Sequence, residues 1–174
     1  MFRRNFLKNS IIGSLSASTI MSLTNKNNPI VKSVPRIIST WKHGVNANKI
    51  AWKKLNNGEG GLTAVEYGVR DSENDPNERS VGYGGLPDRE GKVTLDACIM
   101  DSNNDCGSVS FLENIKNPIS VARLVMEKTP HIMLSGKGAY DFAIENGFKS
   151  ENLLTEQSKK DWENWLKKSE YKPI

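Results

Sequence analysis

The chain has 174 residues, 37% of them hydrophobic, and its mean hydropathy of −0.53 argues against a membrane protein. Its length is typical of one globular domain. The formal net charge of +4 arises at the N-terminus, because residues 1–34 hold five of the 24 Lys and Arg residues and no acid. The remaining 19 basic and 20 acidic residues make residues 35–174 nearly neutral, which argues against a nucleic-acid partner.

Residues 1–34 have the pattern of an export signal. Arg3 and Arg4 stand just before an apolar, serine-rich run at residues 11–23 that is too short and too small in its side chains to span a bilayer securely. Because this pattern resembles a twin-arginine signal, we expect a periplasmic or secreted protein with no membrane segment in its mature form. A disordered or weakly amphipathic N-terminus is the alternative.

The first predicted elements after this leader are a strand and two helices. Residues 36–41 are rich in β-branched side chains, which predicts a short strand that ends at Trp41. An indole there could line a small-molecule pocket or pack in the core, and spacing alone does not decide between the two. Helical spacing then predicts one helix around residues 47–55 and a second with Val65 and Val69 facing inward.

A glycine-rich loop that runs directly into the clearest strand organises the rest of the chain. Residues 71–78 are acidic and turn-prone, so we expect an exposed connection to this loop, whose glycines lie within residues 82–85. Apolar residues alternate with a period of two over residues 93–99, which predicts a strand. Cys98 and Met100 suggest that its second face is also partly buried.

A hairpin is predicted next. Five polar residues, 101–105, indicate a tight reversal, and alternation resumes over residues 106–112 through Gly107, Val109 and Phe111. Cys98 and Cys106 could meet on adjacent strands. A disulfide remains open, but two small buried thiols are favoured. No pair of Cys or His has metal-ligand spacing, so no metal site is expected.

The C-terminal part is predicted to be mostly helical. Asn117 is a candidate N-cap for a helix that ends at residues 129–130, a short strand covers residues 131–135, and glycines bound a helix between residues 136 and 147. Thr155 is a plausible N-cap for the last helix. The apolar face of that helix carries Trp162, Trp165 and Leu166. The alternation of elements predicts helices that cover a mixed sheet, an α/β (α+β) fold.

Several candidate motifs give little support for a binding or catalytic site. Residues 82–85 precede a strand rather than a helix, and residues 136–138 lack the rest of a phosphate-loop pattern, so nucleotide binding is not expected. His43 and His131 belong to no nucleophile-elbow pattern. His131 is expected to be a structural residue. Asp96 is expected to accept a hydrogen bond from nearby backbone rather than to act in catalysis.

Four runs of this sequence resemble the α portion of the glycosylasparaginase family. They are Ser39-Thr40-Trp41, Asp75 to Gly85 (DPNERSVGYGG), Lys92 to Asp101 (KVTLDACIMD) and Asn117 to His131 (NPISVARLVMEKTPH). The likeness covers about residues 36–174, and the runs agree in order and spacing. On these motifs residues 35–174 are identified as the α-chain portion of an N-terminal-nucleophile amidohydrolase, in the type 2 asparaginase-like family.

The resemblance implies an αββα sandwich, of which this chain would form a part that lacks the β-chain half. Members of the family are made as one precursor that cuts itself ahead of a threonine. The new α-amino group of this threonine then acts as base for its own hydroxyl. These enzymes hydrolyse the amide that joins N-acetylglucosamine to asparagine, need no metal or organic cofactor, and assemble as a dimer of αβ pairs, a heterotetramer.

The resemblance assigns few residues of this chain to the site. The family continues past a Tyr-Lys-Pro-Ile-like end to His-Asp-Thr, whereas this sequence stops at Ile174. We therefore expect no catalytic residue in this chain and no activity of the chain alone. Trp41 resembles the substrate-binding tryptophan beside the nucleophile, and Ser80 resembles a serine that supports the active-site threonines from behind. His43 stands where close relatives carry phenylalanine, which leaves the shape of the pocket open.

Two alternatives to a glycosylasparaginase remain at this stage. One is an asparaginase or isoaspartyl peptidase of the same superfamily. The other is a catalytically dead exported remnant that only binds a partner. The expected partners under the leading interpretation are a β chain that carries the N-terminal threonine and a glycosylated asparagine substrate.

Overall fold

The computed structural model of the chain describes residues 34–168. The helices are α1 (Gly44–Asn56), α2 (Gly61–Asn74), α3 (Pro118–Lys128), α4 (Gly136–Glu145) and α5 (Glu156–Lys168), and the strands are β1 (Thr94–Met100), β2 (Cys106–Glu113) and β3 (Met133–Ser135). All belong to a compact unit that starts at Ile37, and of the preceding unit, Met1–Arg36, only residues 34–36 are described. The mixed α/β class predicted from the sequence is confirmed.

The three strands form one sheet in the order β1-β2-β3. β1 and β2 are antiparallel, and β2 and β3 are parallel. The polar reversal predicted at residues 101–105 is confirmed, because the Asp101 N–H donates to the Asp105 carbonyl over 2.9 Å. The Asp101 carboxylate also accepts the N–H groups of Asn103 at 2.8 Å and Asp105 at 3.0 Å. An aspartate that bonds its own turn in this way fixes the hairpin.

A bulge in β2 turns Phe111 away from the core. The register shifts between Leu95 and Ala97, so β2 carries one extra residue there. Phe111 has a φ of +51° and is 51% exposed, so the alternation predicted through Gly107, Val109 and Phe111 is wrong at Phe111. Asp96 is exposed, but its Oδ1 accepts the Phe111 N–H at 2.8 Å. The predicted hydrogen bond from nearby backbone to Asp96 is therefore confirmed.

The main core lies between the sheet and helices α3 and α4. Gly107 of β2 allows α3 to approach, because a side chain there would overlap the α3 backbone at Ala122 and Met126. The buried cluster consists of Ile99, Val109, Leu112, Ile115, Ile119, Val121, Ala122, Val125, Ala139 and Ala143. Burial of this apolar surface is the principal stabilising contribution to the unit.

The opposite face of β1 is exposed, which contradicts the prediction that this second face is also partly buried. Met100 is 61% exposed, and Cys98 is also exposed. Cys98 lies opposite Ser108, whereas Cys106 lies opposite Met100, so the two cysteines are staggered along the strands. Both are free thiols, and the prediction of a buried thiol is wrong for Cys98.

Helices α1 and α2 form a closely packed pair. A side chain at Gly68 of α2 would lie 2.8 Å from the Ala47 carbonyl and 3.3 Å from the Ala51 side chain, so only glycine fits between the helices. The predicted helices are confirmed, but the prediction that Val65 and Val69 face inward is wrong, since they are 50% and 36% exposed. The small residues of α2 form the buried face because they permit the close approach.

The expected exposed connection at residues 71–78 is partly wrong. α2 continues to Asn74, and Glu73 is only 2% exposed. Glu73 Oε1 accepts the N–H of Ile119 at 3.0 Å, and Oε2 accepts Asn117 Nδ2 at 3.1 Å. Glu73 thus caps the N-terminus of α3, where the Asn117 side chain makes no capping bond. Burial raises the pKa of the Glu73 carboxyl to about 7, against the lowering effect of these hydrogen bonds.

Residues 36–41 do not form the predicted strand. The structure gives this stretch no regular secondary structure, and Ile38 and Trp41 are 87% and 70% exposed. A strand requires a neighbouring strand to take up its backbone groups. Within residues 34–168 the sheet contains β1, β2 and β3 and does not reach this segment.

The last helix starts as predicted. The Ser158 N–H donates to Thr155 Oγ1 at 3.2 Å, which confirms Thr155 as the N-cap of α5. Ser158 is fully buried, and its hydroxyl donates to the Gly84 carbonyl at 2.5 Å, so α5 is fastened to the glycine-rich loop. Trp165 on the apolar face is 46% exposed. In the described part of the chain, no helix has the length and apolar character needed to cross a bilayer.

Candidate functional site

Trp41 lies in the turn that leads into α1. Its carbonyl accepts the Gly44 N–H at 2.9 Å, which places the indole at the start of the helix. The ring stacks on His43, with 6.2 Å between centroids and an interplanar angle of 17°. Trp41 is 70% exposed, so its outer surface is open to a ligand or to another part of the protein.

Glu78 connects this aromatic pair to Ser80. Oε2 of Glu78 lies 2.7 Å from Nδ1 of His43. Oε1 accepts the Ser80 hydroxyl at 2.6 Å and the Ser80 N–H at 3.3 Å. The pKa of the Glu78 carboxyl is held below its ordinary value, chiefly by the bond from the Ser80 hydroxyl, with a further contribution from the charge of His43. Glu78 is therefore an ionised acceptor shared by both sides of the site.

The loop that carries Ser80 is held from two sides. On one side, the Tyr83 N–H donates to the Glu73 carbonyl at the end of α2 over 2.8 Å. On the other side, Arg79 Nη2 lies 2.6 Å from Asp161 Oδ2 of α5, a charge contact without hydrogen-bond geometry. These contacts fix the loop between two helices, so the position of Ser80 is set by the fold around it.

The connectivity excludes a serine triad at this site. In such a triad the histidine lies between the hydroxyl and the carboxylate, so that it can take the hydroxyl proton. Here the Glu78 carboxylate lies between Ser80 and His43. A carboxylate of lowered pKa is a poor base for a serine hydroxyl, so this arrangement does not activate Ser80 as a nucleophile.

The two residues predicted from the sequence, Trp41 and Ser80, are thus brought into one connected cluster with His43. Sequence reasoning missed Glu78, the residue that connects them. The available signal was its position two residues before Ser80, where a carboxylate can bond the backbone and hydroxyl of the following loop. His131 is exposed and plays no part in this cluster.

Two depressions lie outside the cluster. An apolar groove of about 740 Å³ and a polar cleft of about 580 Å³ are present. The groove is lined mainly by Leu86, Pro87, Trp162 and Trp165. In the cleft, Arg123 Nη1 lies 2.8 Å from Glu66 Oε2. Residues 34–168 contain no group of three or more His, Cys, Asp or Glu that could hold a metal ion.

Comparison with known proteins gives consistent matches over almost the whole chain. A family model described as asparaginase matches residues 17–173. The N(4)-(beta-N-acetylglucosaminyl)-L-asparaginase of Elizabethkingia miricola is 57% identical over an alignment of 177 positions, which covers 99% of this chain and 52% of that protein. The protein of the same name from Rattus norvegicus is 41% identical over 148 residues, which cover 84% of this chain and 41% of that protein. The chain spans about half the length of the curated relatives it matches.

Proposed function

This chain belongs to the asparaginase family and is glycosylasparaginase-like, and on that premise we propose that it is the α portion of an amidohydrolase that cleaves the amide between N-acetylglucosamine and asparagine. The observation that carries the proposal is the 57% identity over 99% of this chain to a relative with this activity in its name. Because the chain matches only 52% of that relative, the proposal assigns the rest of the enzyme to a second portion, the β portion.

The proposal divides the chemistry between the two portions. Trp41 and Ser80 are proposed to form the wall and the support of the substrate pocket, and the nucleophilic threonine is proposed to lie on the β portion. A threonine at a chain terminus can use its own α-amino group as base. No catalytic residue, metal or organic cofactor is assigned to this chain.

The open surfaces of the chain support a partner of this kind. Trp41 is 70% exposed, and β1 presents an exposed face that includes Met100. In the described sheet, β1 and β3 are edge strands, whose outer backbone groups are available for pairing. We propose that the β portion covers these surfaces and completes an αββα sandwich, with two αβ pairs in the assembled enzyme.

The assembled enzyme, meaning this chain produced together with its β portion, provides the direct test. We expect it to hydrolyse aspartylglucosamine to aspartate and the glycosylamine of N-acetylglucosamine. We expect the purified 174-residue chain alone to show no turnover. Faster hydrolysis of asparagine or of a β-aspartyl dipeptide would instead favour the asparaginase or isoaspartyl peptidase alternative. Turnover by the chain alone would contradict the proposed division of chemistry.

The coding sequence gives a simpler discriminator. An open frame beyond codon 174 that encodes His-Asp-Thr would support the enzyme, because this tripeptide would supply the cleavage site and the nucleophile. An in-frame stop would favour a remnant that has lost its chemistry and only binds a partner.

We further propose that residues 1–34 direct export to the periplasm or the medium. Residues 1–33 of this segment lie outside the described residues, so the proposal rests on Arg3 and Arg4 before an apolar run. Changing both arginines to lysine is expected to leave the protein in the cytoplasm, as measured by cell fractionation. Lys8→Arg, which keeps the arginine pair, is the control and should be exported normally. Unchanged export of the double variant would refute the proposal.

A further inference from the structure

We propose that Glu78 is the positioning residue of this site, which holds Ser80 and His43 in one fixed arrangement beside Trp41. The inference rests on the proposed function, because it gives Glu78 a role in the reaction of the assembled enzyme. It concerns the arrangement of groups around the pocket rather than the chemical step itself.

The two carboxylate oxygens of Glu78 contact the two residues that it holds in place. Oε1 accepts the Ser80 hydroxyl at 2.6 Å, and Oε2 faces His43 Nδ1 at 2.7 Å. The His43 ring in turn stacks on Trp41 at 6.2 Å between centroids. Because Oε2 of Glu78 holds Nδ1 in this short charge contact, the orientation of the ring is restrained, and the stacked indole is restrained with it. A movement of Glu78 would therefore displace both the pocket wall and its support.

The stability of the fold depends little on this contact. The side chains of His43 and Glu78 are 30% and 21% exposed, and ion pairs near the surface contribute little to stability. A role in positioning and a role in folding can therefore be separated, because substitution at Glu78 should change the site more than it changes the stability of the unit.

Glutamine at this position is the informative substitution. Glu78→Gln keeps the length of the side chain but replaces one carboxylate oxygen with an NH₂ group. The amide has one accepting oxygen, so when that oxygen accepts the Ser80 hydroxyl, an NH₂ group replaces the negative oxygen that faces His43 Nδ1, and the charge contact is lost. Glu59→Gln is the matched control, because Glu59 forms a comparable partly exposed ion pair with Lys54 at 3.1 Å, outside this cluster.

The kinetic test uses the assembled enzyme with aspartylglucosamine as substrate. We expect Glu78→Gln to lower kcat/KM by about tenfold or more, because the Ser80 hydroxyl loses a charged acceptor and His43 loses its charge contact. We also expect KM to rise, because Trp41 loses its fixed orientation, while the melting temperature stays close to that of the wild type. A kcat/KM within about twofold of the wild type would overturn the inference. A kcat/KM that falls only in proportion to the amount of folded protein, with KM unchanged, would also overturn it.

A double-mutant cycle tests the connection to His43. His43→Phe keeps an aromatic ring beside Trp41 but has no nitrogen that could contact Glu78. If both residues act through the same bridge, the double variant should lose about as much kcat/KM as Glu78→Gln alone. Losses that multiply independently would show that the two residues do not act as a unit and would overturn the inference.

Ring nitrogen NMR tests the bridge without any need for turnover. Only this portion of the enzyme is labelled with nitrogen-15, and it contains two histidines. The signals of His43 are those that disappear in His43→Phe, and the signals of His131 serve as the internal control. We expect Glu78→Gln to shift the Nδ1 signal of His43 and to leave that of His131 unchanged. An unchanged His43 signal would overturn the inference. A wild-type enzyme that fails to hydrolyse aspartylglucosamine would instead reject the proposed function.

Discussion

Replacement of Gly82 by alanine is expected to lower the free energy of unfolding by more than about 3 kcal/mol. Gly82 is buried, has a φ of +58°, and lies against the last turn of α2. A methyl group there would overlap the backbone oxygen, Cα and carbonyl carbon of Glu73. Backbone atoms cannot rotate away as a side chain can, so the loop or the helix would have to shift. Urea denaturation of the assembled enzyme measures the loss.

Gly58→Ala separates backbone strain from overlap. Gly58 has a φ of +79°, but nothing lies within 4 Å of the position its side chain would occupy. Its substitution should cost only the strain of a left-handed residue, about 1 kcal/mol. Since Gly82 lies two residues after Ser80, the Gly82 variant should also lose activity, whereas the Gly58 variant should not. Equal destabilisation by both substitutions would show that the contact with Glu73 is unimportant.

The regular elements of this fold could be predicted because each has a local signal. The hairpin turn follows from Asp101, whose carboxylate bonds its own turn, and the start of α5 follows from the hydroxyl of Thr155. These contacts join residues that are two to four positions apart, so the sequence shows both partners together.

The incorrect predictions of burial and strand formation occur where the structure depends on residues far away in the sequence. Val65 and Val69 have the spacing of a buried face, but Gly68 allows α1 to pack against the neighbouring face of small residues on α2. Phe111 follows the alternation of β2 until a bulge reverses it. Residues 36–41 have strand propensity, which produces a strand only where a neighbouring strand is present.

The candidate site shows the same division. Trp41 and Ser80 were expected from family resemblance, whereas Glu78, between them in space, has no motif of its own. Its partners are two residues away on one side and 35 positions away at His43 on the other. Only the folded chain shows that one carboxylate contacts both residues. Glu73 was missed for a related reason, because an acidic run indicates a solvated loop unless a helix N-terminus requires an acceptor.

Glu73 should make the stability of the protein depend on pH between about 4.5 and 7. Burial raises the pKa of its carboxyl from 4.5 to about 7, so the folded state binds the proton more tightly than the unfolded state. The contribution to stability is therefore fully present below about pH 4.5 and is lost as the pH rises through about 7. The difference corresponds to about 3 kcal/mol in the free energy of unfolding.

Glu73→Gln is expected to remove this dependence while it keeps an acceptor for the N–H of Ile119. Relative to the wild type, the variant should gain about 3 kcal/mol in the free energy of unfolding between pH 4.5 and pH 8. The measurement is urea denaturation of the assembled enzyme across this range, with Glu163→Gln, an exposed position on α5, as the control for loss of one carboxylate. Parallel pH profiles for wild type and Glu73→Gln would mean that the folded protein keeps Glu73 ionised and that the hydrogen bonds from Ile119 and Asn117 outweigh its burial.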